Sequence, residues 1–267
     1  MKKIKGYKMT NSDMTCLEFQ YELGKEYNLE GELIPCKNGF HFCKELTNCL
    51  EYYNNVNGDK RFFEIEAWGD VVDEYNKSVA NNIKFIREIS VDEVFEYIKD
   101  NKDIVNWYLI SDCQKLSEDF IREFKDYVNW GSISMYQTLS ENFIREFEDR
   151  VSWASISKYQ TLSEPFVREF KDKVDWYYIS EYQILSEEFI RENKDKIDWN
   201  LISGNQKLSE SFIREFKNRV DWSWISECQE LSENFISEFK NKVNWFYIYK
   251  HQKLSEDFIR EFEDRVN

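Results

Sequence analysis

The sequence predicts a mainly α protein in two parts: a small N-terminal α+β domain, then an α-solenoid of seven 23-residue helix-turn-helix repeats. Three observations carry this expectation. Trp107, Trp130, Trp153, Trp176, Trp199, Trp222 and Trp245 stand 23 residues apart without a break. A fixed period of roughly 20–50 residues marks units that bury their apolar faces only against their neighbours. Residues 1–90 lack that period and instead alternate short β-forming runs with turn residues. The chain of 267 residues holds only 8 Gly and 2 Pro against 42% hydrophobic side chains, the balance of a packed helical chain with short connections. The expected boundaries are a head at 1–90, a linking and capping helix at 91–104 and the repeats at 105–267.

Within the head, Gly6-Tyr7-Lys8-Met9, Phe19-Gln20-Tyr21-Glu22, Gly39-Phe40-His41-Phe42-Cys43, the run from Arg61 to Ala67 and the run from Ile83 to Ile89 are expected strands. Turn residues separate them: Asn11-Ser12-Asp13, Gly24-Lys25, Asn38-Gly39, Asn57-Gly58-Asp59 and Gly69-Asp70. Lys44 to Tyr53 is expected to be a helix, with Leu46, Cys49, Leu50 and Tyr53 on one stripe. Ser90-Val91-Asp92-Glu93 forms a capping box. It opens a helix with Val94, Phe95 and Ile98 turned inward, which closes the first repeat.

Each repeat contains two helix starts. A capping residue precedes every repeat Trp: Asn106, Asn129, Ser152, Asp175, Asp198, Asp221 and Asn244. The second start is the Ser of Leu-Ser-Glu, from Ser117 to Ser255. A side-chain oxygen at such a position satisfies an orphan backbone N–H, worth about 1 kcal/mol. Apolar pairs across each cap, Val105 with Ile110 and Leu116 with Ile121, form hydrophobic staples. Two starts per 23 residues leave room for helices of about 8 to 11 residues, too short to persist without stacking. Phe120, Phe124 and Val128 supply the core stripe, and Glu118 with Arg122 a solvent-facing i,i+4 pair that recurs in every copy but the sixth, where Ser237 replaces the Arg. Pro165 sits where a missing N–H costs little, and Asn193 interrupts the Phe stripe as an expected weak point. Gln114, Gln137, Gln160, Gln183, Gln206, Gln229 and Gln252 never vary, and bonding backbone at the inter-helix turn explains that.

The net charge is −15, and both parts are acidic: 14 basic and 20 acidic residues in 1–104, 22 and 31 in 105–267. Nucleic acid and anionic membrane need clustered cations, so neither is an expected partner. No apolar run approaches the roughly 20 residues of a membrane span, and the N-terminus lacks a signal peptide's apolar stretch. The six Cys are therefore expected as free thiols in a soluble, intracellular protein. No cofactor is expected, and a protein is a better partner than a small molecule.

Positions at which the repeats disagree point to that partner. The two residues after each Trp, and the pair before each Gln, vary and are rich in aromatics. The candidates for partner contact are Tyr108, Tyr136, Tyr159, Tyr177, Tyr178, Tyr182, Trp224, Phe246, Tyr247 and His251. The repeat Trps themselves are expected to pack in the core. In the head, Cys36, His41 and Cys43 lie close together, but their spacing matches no standard zinc knuckle. Buried thiols and a strand histidine are the expectation there.

The head resembles an uncharacterised N-terminal domain of bacteriophage and giant-virus proteins. The likeness rests on Phe19 to Tyr27, Cys36-Lys37-Asn38-Gly39-Phe40-His41-Phe42-Cys43, Cys49 to Tyr53, Lys77-Ser78-Val79 and Arg87-Glu88-Ile89. The Trp-Ile-Ser-Gln-Leu-Ser-Glu-Phe pattern resembles a short helical repeat of mimivirus-like giant viruses. Together these resemblances imply a viral interaction protein in the cytoplasm of a host cell. The order of Tyr7, the Gly39–Cys43 strand and a late Glu66 or Glu88 also looks like ADP-ribosyltransferase-type domains. That resemblance implies a nucleotide-binding enzyme head with Tyr7, His41 and a late Glu as catalytic candidates. The usual Ser-Thr-Ser stretch is absent, and the first strand bears no Arg or His. A non-enzymatic adapter is the leading expectation, and such an enzyme head targeted by the solenoid is the alternative.

Overall fold

The computed structural model describes residues 2–16, 19–35, 37–51, 60–113 and 115–265. Cys36 and Gln114 therefore lie outside the described residues, as do the end of the expected Lys44–Tyr53 helix and the Asn57-Gly58-Asp59 turn. Contacts divide the chain into two compact units, Met1–Gln137 and Thr138–Asn267.

The first unit opens with an antiparallel sheet. Strands β1 (Ile4–Asn11), β6 (Lys60–Glu74), β7 (Lys77–Ile89) and β4 (Glu26–Asn28) lie in that order. Strand β5 (Phe40–Phe42) also pairs with β7, while β2 (Thr15–Cys16) and β3 (Phe19–Gln20) form a separate ribbon. After β5 the chain reaches back to β1. Tyr7 N–H donates to the Cys43 carbonyl at 2.7 Å, and Cys43 N–H to the Tyr7 carbonyl at 2.8 Å. The ring β1–β6–β7–β5–β1 is thereby closed. Phe63, Ile65, Ala67, Ala80, Ile83 and Phe85, all fully buried, fill it.

One predicted turn is a bulge. Gly69-Asp70 lies inside β6, where the register with β7 shifts between Trp68 and Val71. Gly69 has φ +93°, and a Cβ there would lie 2.6 Å from Asn82 Nδ2, so only glycine fits. The hairpin turns instead at Tyr75-Asn76, with Tyr75 fully exposed at φ 48°. Helix α1 (Leu46–Glu51) follows β5, and α2 (Val91–Asp100) opens with both hydrogen bonds of the Ser90/Glu93 capping box. Val94 and Ile98 are buried, and Phe95 stacks on Phe120 of the first repeat at 4.6 Å.

The repeats run from α3 (Trp107–Cys113) and α4 (Glu118–Glu123) to α15 (Trp245–His251) and α16 (Glu256–Glu261). Trp helices have 7 residues and Ser-Glu helices 6, shorter than the spacing predicts. The segment from the stripe Phe to the next Trp is a run of turns, not a longer helix. The staples and the Phe stripe are buried as expected, save the last staple, where Leu254 is half-buried and Ile259 exposed. Each described cap works: Ser163 accepts from Phe166 N–H, and Asp175 from the N–H groups of Tyr177 and Tyr178. Pro165 sits in the first turn of its helix. Asn193 takes the stripe position half-buried and turns its amide onto the Phe189 carbonyl at 2.9 Å.

In the second unit, α7 (Trp153–Tyr159), α9 (Trp176–Tyr182), α11 (Trp199–Asn205), α13 (Trp222–Cys228) and α15 pack in succession. Polar side chains join them as well as apolar ones. Gln183 accepts from Leu162 N–H at 3.0 Å and donates to the carbonyls of Ser157 and Gln160. Gln229 repeats the pattern on Leu208, Ser203 and Gln206. Ser157 Oγ donates to the Trp153 carbonyl and accepts from Asp175 N–H, 18 residues on. The outer Glu/Arg pairs act between repeats more than within helices. Arg168 meets Glu164 at 3.5 Å but Glu192 of the next repeat at 2.8 Å, while Glu164 accepts from Ser186 N–H.

Candidate functional site

Two places gather chemistry-bearing side chains: a cavity in the head and the varied positions of the repeats.

The cavity has a volume of about 730 Å³, within the range of small-molecule sites. Strand β1 supplies Tyr7, Lys8 and Thr10, β5 supplies Phe40, His41 and Phe42, and the β2–β3 ribbon supplies Cys16 and Phe19. Closure of β5 onto β1 brings these distant segments together. Phe19, Tyr21, Tyr27 and Phe40 pack edge to face or tilted, with ring centroids 4.8 to 6.4 Å apart. Lys8 is 4% exposed; its ammonium donates to the His41 carbonyl at 2.7 Å and lies 5.3 Å from the Tyr21 ring. Lys60 donates to Asn11 Oδ1, and Lys77 meets Glu74 at 3.5 Å.

His41 is half-buried. Burial, and after it the charges of Lys8 and Lys77, hold its imidazole below the ordinary histidine value, so it is neutral near pH 7. Cys43 and Cys49 are both buried, as free thiols. Burial, with the Cys43 neighbour second, pushes the Cys49 thiol well up, so it stays protonated and is a poor nucleophile. Among the described residues no three His, Cys, Asp or Glu side chains converge as a metal would require.

Tyr7, His41 and Cys43, singled out in the sequence, do share this cavity. Glu66 and Glu88 do not. Glu66 pairs with Lys3 at 2.7 Å, and Glu88 pairs with Arg61 at 2.5 Å, both on the surface. Lys8 and Lys60 are the residues that sequence reasoning missed. Lys8 carried a signal, being a charged residue inside a β-forming run.

Residues 4–97 match a domain of unknown function, DUF7666. No curated protein and no solved structure matches the chain. The family match covers the head sheet and most of α2 and stops before the first repeat.

On the repeats, the Trp rings are not free platforms. Each is half-buried and donates its indole N–H to the carbonyl five residues earlier, as Trp176 does to Lys171 at 2.9 Å. Trp176 stacks on Phe189, and the Lys196 ammonium lies 5.4 Å from its ring. The varied positions differ. In the first unit Tyr108 and Tyr136 are exposed; in the second, Tyr159, Tyr177, Tyr182, Trp224, Phe246 and His251 are exposed, and Tyr178 and Tyr247 half-buried. Tyr177 keeps 52% of its surface and Phe246 69%. Some also pack between repeats: a Cβ on Gly204 would come 3.2 Å from Trp224. The Lys158 ammonium lies 5.1, 5.3 and 5.5 Å from the rings of Tyr159, Tyr178 and Tyr182. These rings form a three-sided aromatic cluster around a cation. Ile184, beside this cluster in sequence, is 95% exposed.

No described helix is long and apolar enough to cross a membrane.

Proposed function

We propose that the repeats form a non-enzymatic docking scaffold, an adapter that holds another protein through the varied aromatic positions. One observation carries this reading: large aromatics stand exposed at positions that the repeat leaves free, while the fixed positions are consumed by packing and hydrogen bonds. Exposed aromatics of this kind are the usual anchors of protein interfaces. The chemistry of the partner follows from the same surface. Residues 105–267 carry 31 acidic against 22 basic side chains, which favours a Lys- or Arg-bearing segment. The likeness of head and repeats to phage and giant-virus proteins supports placing this adapter in a viral protein, at work in the cytoplasm of a host cell. The head supports a binding reading better than the catalytic alternative, because Glu66 and Glu88 are engaged away from the cavity that holds Tyr7 and His41.

The test replaces Tyr177, Tyr178 and Tyr182 together with Ala and measures binding of Lys/Arg-rich and acidic peptide libraries by fluorescence anisotropy. The parent is expected to prefer basic peptides, and the variant to lose about thirtyfold in affinity with unchanged far-UV circular dichroism. Equal binding by parent and variant, or a preference for acidic peptides, defeats the reading.

A further inference from the structure

The head cavity is positively charged in a protein that is otherwise strongly acidic. Three lysines, Lys8, Lys60 and Lys77, line it, and among the described residues lining it there is no Asp or Glu. The whole chain carries a net charge of −15.

Lys8 sharpens the point. It sits on β1 between Tyr7 and Met9, 96% removed from solvent on its 4% exposure, and its two contacts are a neutral carbonyl and the face of a phenol. Among the described residues it has no carboxylate partner; Lys60 donates to the neutral amide oxygen of Asn11 and lies in the field of the Asp13 carboxylate. A buried ammonium without a counter-charge opposes folding, because a single carbonyl and a ring face replace only part of its hydration. Such a group persists when something outside the chain supplies the opposite charge. The rest of the wall is apolar and aromatic, with Phe19, Tyr21, Phe40 and Phe42 beside the lysines. The volume of about 730 Å³ suits a molecule far larger than an inorganic ion.

We propose that the head cavity is a binding site for a small organic anion, with its phosphate or carboxylate on Lys8 and Lys60 and a flat apolar body against the aromatic wall. The site is separate from the repeat surface and does not depend on it. It adds a small-molecule ligand of the head to the protein partner proposed for the repeats. Phe19, Tyr21, Phe40 and Phe42 grip the body through their faces and edges. The Lys8 ammonium, already oriented by the His41 carbonyl, supplies a charge-assisted hydrogen bond without reorganisation.

Anilinonaphthalene sulfonate, an aromatic anion that fluoresces when removed from water, is the direct probe, with uncharged N-phenylnaphthylamine as its partner. Titrated into the full chain, the sulfonate is expected to bind one per chain and more tightly than the amine. Lys8→Met, close to isosteric and neutral, is expected to lower sulfonate affinity about tenfold while leaving amine affinity within about twofold. Lys8→Arg keeps most of the sulfonate binding, and Lys60→Met gives a smaller loss in the same direction. Displacement by adenosine monophosphate but not dodecanoate assigns an organic phosphate; the opposite result assigns a fatty carboxylate. Far-UV circular dichroism and a thermal melt of each variant report whether the fold survives. Equal binding of the two probes, or sulfonate binding unchanged in a folded Lys8→Met protein, reduces the site to an apolar cavity and overturns the proposal. Failure of both probes to bind the parent overturns it as well.

Discussion

The head and the repeats bury polar groups on opposite terms. In the second unit every buried Gln from Gln160 to Gln229 serves the turn of its neighbour, and every buried Ser from Ser157 to Ser226 bridges two repeats. The period itself satisfies them, since each neighbouring repeat presents the same backbone groups at the same places. In the head no period exists, and Lys8 is buried with neutral contacts only. Backbone strain divides the same way. The non-glycine residues at positive φ, Met14 and Tyr75, both belong to the head among the described residues. A repeat spreads any strain over seven copies and is selected for conformations that tolerate copying. A single-copy domain can keep an awkward feature where it is useful.

The largest expected effect lies in the repeats. Gln183→Leu leaves the Leu162 N–H and the carbonyls of Ser157 and Gln160 without that partner inside the stack. Losing them should cost about 3 kcal/mol, read by urea unfolding of the second unit. A cost below about 1 kcal/mol would show that the ladder is decorative.

A smaller effect separates the two regions by strain. Tyr75 occupies the first central position of a two-residue hairpin turn, where glycine fits best. Tyr75→Gly should stabilise the head by about 0.5 kcal/mol, the relief of strain slightly exceeding the entropy of the freer unfolded chain. Differential scanning calorimetry should place the gain in the head transition alone.

The smallest concerns protonation. The folded head lowers the His41 pKa, so its neutral form is favoured and this contribution to stability is fully present above about pH 6.5. It is lost as pH falls through the lower, folded-state value. Burial is the main cause, and Lys8 is the first of the charges. In Lys8→Met the imidazole should therefore titrate closer to the ordinary value, without reaching it. Only His41 and His251 are present, so two-dimensional NMR resolves the change directly. An unchanged His41 midpoint would remove Lys8 from its surroundings.

The sequence disclosed the two regions unequally. Seven copies of one unit make every capping residue and stripe position a repeated measurement, so the caps, staples and Gln contacts could be read from spacing alone. The Ser that follows the buried Ile in six of the seven repeats, from Ser111 to Ser226, is nearly as constant as the Gln, with Tyr249 in the last copy. Its bridging role was overlooked because serine inside a helix usually signals nothing. The Glu/Arg pairs were legible as neighbours on one helix, yet their closer bonds run to the next repeat, which spacing within a helix cannot reveal. In the head, β2 and β4 have 2 and 3 residues, too few for a pattern. Gly69-Asp70 carries the same signal for a bulge as for a turn, and only pairing with β7 tells them apart. The closure of β5 on β1 joins residues 36 apart, at Tyr7 and Cys43, and no local signal encodes it. Hence the candidate cavity was visible only as single residues, Tyr7, His41 and Cys43, while the lysines that give it its charge went unread.

The measurement closest to the centre of this account compares two swaps of a buried polar side chain for an apolar one in the full chain. Hydrogen exchange resolved by segment should be recorded for Gln183→Leu and Lys8→Met beside the parent, without ligand. If the repeats bury polar groups for structure and the head buries Lys8 for a ligand, Gln183→Leu speeds exchange in the second unit. Lys8→Met then leaves exchange in β1, β5 and β7 unchanged or slower, because an uncompensated charge has been removed. Faster exchange across those strands in Lys8→Met would make Lys8 a structural residue like Gln183, and the contrast between the two regions would fall.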